Sequence, residues 1–211
     1  MITAYLFLLL SVMTIVTPYF TFPCVNWWRH VVNADLVIFD ACEHFEKMTN
    51  RNRYPVSGAN NSILLSVPLI NGRNQHVPMN NVLIHNEANW QIQHWRTLVS
   101  VYKRSPYFEY YEQSLQPFFE TDYTSLIDFS RAGITWVKQQ LNLKYKEQEA
   151  TEYIKEYPAA ITDLRGKDIE NEGLLKYYQV FEDRIGFLPD LSILDLLFSE
   201  GPLAANILRG N

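Results

Sequence analysis

Between Thr14 and Asp40 the chain sets two short apolar runs, Thr14–Thr17 and Leu36–Phe39, on either side of a stretch in which Val25, Trp28 and Val32 recur at helical spacing. A proline-bounded turn, Pro18 to Pro23, precedes that stretch, and Asp40 closes the second run. Short apolar runs flanking an amphipathic helix predict a βαβ unit with parallel strands. Two further β-rich runs, Tyr54–Ser57 and Ile63–Val67, are joined by Gly58-Ala59-Asn60-Asn61, residues suited to a hairpin turn. Val82–Ile84 offers one more short strand. From Asn89 the apolar period changes to three and four residues. Asn89 is placed to cap a helix that runs to about Lys103 and buries Ile92, Trp95, Val99 and Tyr102. Ser105-Pro106 starts a second helix carrying Phe108, Tyr111 and Leu115, and Ile127, Ile134, Val137 and Leu141 mark a third. Leu143 to Asp183 is charged and weakly periodic, so an irregular cover is expected there, before a short apolar helix at Leu191–Phe198. The expected fold is α/β: a small, partly parallel sheet built on an N-terminal βαβ unit, with an added β-hairpin and a C-terminal helical half.

Met1 to Val16 is almost wholly apolar, but no Lys or Arg occurs before Arg29, unlike the basic start of a secretory signal. The run is also shorter than the roughly 20 residues that span a bilayer as a helix. Met13 is expected as the natural start, with residues 1–12 an upstream extension and 13–211 a single domain. At 211 residues with 47% apolar content, the chain can bury a core without disulfide or metal support. Eighteen Lys and Arg against twenty-three Asp and Glu, a net charge of -5, argue against a nucleic-acid partner. Cys24 and Cys42 lack redox or metal-ligand spacing and read as thiols of a reduced, cytoplasmic protein. His76, His85 and His94 stand nine apart, which matches no compact zinc pattern, so neither metal nor cofactor is expected.

Functional groups concentrate after the second apolar run, at Asp40, Glu43, His44, Glu46, Lys47, Arg51, Asn52 and Arg53. Ligands of open α/β sheets bind beyond the carboxyl ends of strands, and Arg and Lys together suit a phosphate or carboxylate. Spacing admits two readings: an anion-binding loop, or a solvated loop whose cations pair with Glu43 and Glu46. His94 falls beside the expected buried stripe of its helix, and an imidazole suits proton transfer at neutral pH. Of the aromatic run 107–111, Tyr107 and Tyr110 are the candidates for stacking on a sugar. Ser192 with Asp195 looks like a catalytic pair but reads better as a helix cap.

Several ordered fragments resemble one family, the WbqC-like proteins of bacterial polysaccharide and O-antigen loci. They are Pro18-Tyr19-Phe20 with Pro23, Ala34-Asp35 and Asp40, Phe45 with Lys47, Arg51-Asn52-Arg53, and Leu64 to Pro68. Trp90 with His94-Trp95, Ser105-Pro106-Tyr107-Phe108 and Leu188 to Phe198 complete the series. Two departures stand out: the segment from about 144 to 175 is short and charged, and Asp190 stands where asparagine is common. The resemblance implies a role in building surface polysaccharide on an activated or amino-substituted sugar. An acyl or aminoacyl transferase acting on a nucleotide-linked amino sugar is expected. Tyr19, Lys47, Arg51, Asn52, Arg53 and Tyr107 would then contact substrate, with His94 as base and Asp40 orienting a donor. A non-catalytic sugar-binding or protein-interaction module is the alternative.

Overall fold

The computed structural model describes residues 12–166 and 175–210, so the upstream extension, Val12 apart, lies outside the described residues. Strand β1 (Thr14–Thr17), helix α1 (Val25–Val31) and strand β2 (Leu36–Phe39) form the expected βαβ unit, with Ile15 opposite Val37 and Thr17 opposite Phe39 in a parallel register. Period-2 alternation decides the faces: Ile15, Val37 and Phe39 enter the main apolar core, while Val16, Leu36 and Ile38 point to the other side. Trp27 and Trp28 of α1 are fully buried against the sheet's core side, and the Trp27 indole donates to Thr17 Oγ1 at 2.8 Å.

The hairpin is present as β3 (Arg53–Val56) and β4 (Ile63–Ser66), antiparallel and separate from the parallel sheet. Val82–Ile84 makes single bridges, Leu69 to Ile84 and Leu83 to Ser125, rather than a strand. Helices α2 (Trp90–Tyr102), α3 (Phe108–Leu115) and α4 (Leu126–Gln140) follow as the periodicity implied. Two local expectations fail. Asn89 sits at φ 48° and offers no side-chain cap, and Ser105 turns its hydroxyl back to the Tyr102 carbonyl while α3 begins only at Phe108. The buried face of α2 is also rotated by about one residue: Trp90, Gln91, His94, Leu98 and Val101 are buried, Ile92 is half exposed, and Trp95 stacks at the flank on Phe108 and Phe119. The interior accepts His94 because both of its ring nitrogens find partners there.

The charged stretch after Leu141 holds two more strands, β5 (Lys146–Glu149) and β6 (Thr162–Asp163). Both pair parallel with the first unit, giving the order β5-β2-β1-β6. Their polar, exposed sequences carry no apolar signal, and the register comes from the backbone ladder. Helices α5 (Glu182–Ile185), α6 (Ile193–Glu200) and α7 (Ala204–Leu208) complete the chain. Ser192 caps α6 by accepting from the Leu194 N–H, whereas Asp195 turns to the hydroxyls of Tyr102 and Tyr177 rather than back to the Ser192 N–H, so only the Ser192 half of the expected cap forms. No helix of the described residues is long and apolar enough to cross a membrane.

Gly201 ends α6 at φ 53° and ψ -123°, and a Cβ there would stand 2.5 Å from Cγ of Tyr107. Both the backbone region and the close ring require glycine. Gly201→Ala is therefore expected to lower stability by roughly 2 kcal/mol or more, read as a shift of the urea midpoint.

Candidate functional site

In the order β5-β2-β1-β6 the chain winds outward from β1 through β2 to β5 and then returns to the far side of β1. The carboxyl ends of β1 and β6 therefore flank a topological switch point, where diverging loops leave a crevice. Asp40 prolongs β2, its N–H donating to the Thr17 carbonyl at 2.8 Å. Its side chain is wholly buried: Oδ1 accepts from the N–H groups of Cys42 and Glu43, each at 3.0 Å, and Oδ2 accepts from Arg165 Nη1 at 2.9 Å. Asp40 thus folds the post-β2 loop back and anchors the segment that follows β6.

Arg165 is the second centre. Its Nε and Nη2 donate to both Asp163 oxygens, Nη1 also reaches the Ile154 carbonyl at 2.7 Å, and the rings of Tyr153 and Tyr157 lie 5.4 and 4.8 Å from its guanidinium carbon. Burial alone would raise the Asp163 carboxyl, but the Arg165 hydrogen bonds overcome it and hold the group below its ordinary range. Arg51, 1% exposed, makes a two-point pair with Glu43, Nε to Oε1 at 2.7 Å and Nη2 to Oε2 at 3.0 Å. Its Nη1 is buried without a hydrogen bond, 3.7 Å from Glu46 Oε2.

Around these pairs opens a cleft of about 510 Å³, lined by Glu43, His44, Glu46 and Arg51 from the post-β2 loop and by Tyr153, Lys155, Asp163 and Arg165 from the later segment. Lys155 and His44 are exposed at its wall. The cleft therefore offers hydrogen-bond acceptors, cationic donors, an aromatic ring and one imidazole, a set suited to a polar, hydroxyl-rich ligand with an anionic group.

The sequence-derived candidates divide. Asp40 and Arg51 are both tied to Arg165, and of the two only Arg51 lines the cleft. Asn52 Nδ2 donates to the Val67 carbonyl, Arg53 Nε to the Thr49 carbonyl and Lys47 Nζ to Asn74 Oδ1, so each of these three serves its own loop, and none lines the cleft. Tyr19 lies at the carboxyl end of β1, stacked on Phe39 at 4.7 Å, its hydroxyl donating to Glu149 and accepting from Arg131. Its hydroxyl pKa is pushed up to about 12, chiefly by burial. Tyr107 packs its ring against Gly201 and the core.

His94 does not share the cleft. It is 4% exposed; Nδ1 meets the Tyr54 hydroxyl at 3.0 Å, Nε2 meets the Ser66 carbonyl at 3.3 Å, and Trp90 closes on the ring. Burial holds its pKa down to about 4, so at neutral pH it is an uncharged link between β3, β4 and α2. The spatial expectation joining this imidazole to the cationic loop fails, because a polar side chain with two internal partners is packed as core. Arg165, Asp163, Tyr153 and Lys155 escaped sequence reasoning; the charge density of 144–166 was their only signal.

A comparison with curated proteins and with solved structures returned no significant match. A family model does match, over residues 18–167, which covers both walls of the cleft and more than two-thirds of the chain. The chain belongs to the WbqC-like protein family.

Proposed function

We propose that this protein is an enzyme of bacterial surface polysaccharide biosynthesis that transfers an acyl or aminoacyl group to a nucleotide-linked amino sugar in the cleft between the post-β2 loop and residues 153–166. The observation that supports this best is the cleft's composition at a switch point: the exposed Lys155 ammonium makes no hydrogen bond among the described residues, and it stands beside the Arg51 and Arg165 guanidiniums and acceptors at Glu46 and Asp163. The donors suit phosphate oxygens, the carboxylates suit sugar hydroxyls or an amine, and Tyr153 suits the apolar face of a pyranose.

His44 takes the role of base. The sugar amine nitrogen forms a bond to the carbonyl carbon of an activated acyl donor, the bond from that carbon to the leaving group breaks, and His44 accepts the amine proton. His44→Asn is expected to lower turnover by about 10²- to 10⁴-fold with little change in affinity. Lys155→Ala should weaken nucleotide-sugar binding by roughly tenfold. Both are read by incubation with nucleotide-linked amino sugars and acyl donors, product mass by mass spectrometry and affinity by calorimetry. Binding without any mass shift would leave a sugar-binding module instead; no binding at all would remove the reading.

A further inference from the structure

The second face of the parallel sheet is built differently from the first. Leu36 and Ile38 of β2 share that face with Lys146 and Gln148 of β5, their register partners. Parallel sheets in α/β proteins are normally covered on both faces. Here Leu36 and Ile38 border a cavity of about 1260 Å³, lined also by Leu143, Tyr145, Ile154 and Ile161. It exceeds the roughly 300–1,000 Å³ usual for small-molecule pockets. Its lining is separate from the polar cleft, since none of these six residues lines that cleft.

Three cations and three carboxylates line this cavity, but one carboxylate is neutralised by a cation from outside it, which leaves a cationic excess. Lys144, Lys146 and Arg209 line it, are exposed, and form no salt bridge among the described residues. The carboxylates beside them are largely engaged: Glu147 is held by Lys138 at 2.7 Å, and Asp35 accepts the Met13 N–H at 2.8 Å. Glu152 is the remaining acidic residue of the lining. An aliphatic interior under a cationic rim is complementary to an amphiphile with an apolar chain and an anionic head.

We propose that this cavity is a binding site for a fatty acyl chain bearing an anionic head group, with the chain against Leu36, Ile38, Leu143 and Ile154 and the head at Lys144, Lys146 and Arg209. The site stands independently of the polar cleft and of the reaction assigned there. Ile154, Tyr157, Pro158 and Ile161 border it while Tyr153 and Lys155 border the cleft, so one segment touches both ligand positions.

Calorimetric titration of the full chain with dodecanoate, hexanoate and dodecyltrimethylammonium tests this directly. Saturable binding of dodecanoate at one per chain is expected, with hexanoate much weaker and the cationic amphiphile excluded. Lys144→Glu with Lys146→Glu, both exposed, should weaken dodecanoate by about tenfold or more, and Ile154→Asp should do the same through the apolar wall. Both variants are first checked for an unchanged urea midpoint. Absence of dodecanoate binding to the folded chain would overturn the proposal, as would equal affinity for the two head-group charges. Binding that appears only after residues 1–11 are removed would mean that the chain covers its own cavity, and self-association blocked by Ile154→Asp without dodecanoate binding would assign the face to a second copy; each overturns it as well.

Discussion

Arg51→Leu is expected to destabilise the protein by about 3–5 kcal/mol, because it strands the Glu43 carboxylate, 5% exposed, without its counter-ion. The same substitution releases the Arg165 carbonyl, which accepts from Arg51 Nη2 at 3.2 Å, so the base of the cleft loosens with the core. Removing both charges, as Arg51→Leu with Glu43→Leu, should recover most of the loss, since two apolar side chains avoid the unpaired charge. A double-mutant cycle by urea denaturation measures this coupling. A single variant within about 1 kcal/mol of the parent would mean that the pair does not hold the loop. Arg51 is thus first a structural cation whose Nη1 is itself buried, which is why the exposed Lys155 is the cleaner probe of the proposed binding.

Sequence alone disclosed those parts of the fold that carry apolar residues in a run or at a regular period. The βαβ unit, the hairpin and helices α3 and α4 were legible because their strands are short apolar runs and their helices repeat apolar residues at three and four. The edge strands were not, because Lys146–Glu149 is exposed at every position and pairs through its backbone alone. Residues of this kind read as loop until a neighbouring strand is known. Helix α2 was placed correctly in the chain but turned the wrong way, since periodicity counts His94 and Gln91 as surface while hydrogen bonds make them interior.

For the site, local composition located one wall and missed the other. The loop from Asp40 to Arg53 was visible as a run of charge, and the two open readings of it resolve largely toward internal pairing, through Glu43, Glu46 and the loop carbonyls. Arg165 lies 125 residues from Asp40 along the chain, and no spacing rule connects them. What joins them is the crossover to β6, which a sequence without apolar pattern at 162–163 does not announce.

The other large effect concerns pH, where two buried groups pull in opposite directions. His94 has its pKa lowered by burial from 6.5 to about 4, so the folded state resists the proton that the unfolded chain takes up. Its contribution is present above about pH 6.5 and is lost as pH falls toward 4. Asp195 is wholly buried, accepting from the hydroxyls of Tyr102 at 2.7 Å and Tyr177 at 2.9 Å, and burial raises its pKa from 3.8 to about 6. Its contribution is present below about pH 4 and is lost as pH rises through 6. At about 1.4 kcal/mol per pH unit each group is worth on the order of 3 kcal/mol, so between pH 4 and 6.5 the two slopes nearly cancel in the parent protein. Substitution unmasks them. On acidification from pH 7 to 4, His94→Gln should gain about 3 kcal/mol relative to the parent and Asp195→Asn should lose about as much. The slopes, taken from urea denaturation at several pH values, are independent of any constant loss that either substitution causes. Variants whose stability runs parallel to the parent across this range would show that neither buried group titrates as its surroundings require.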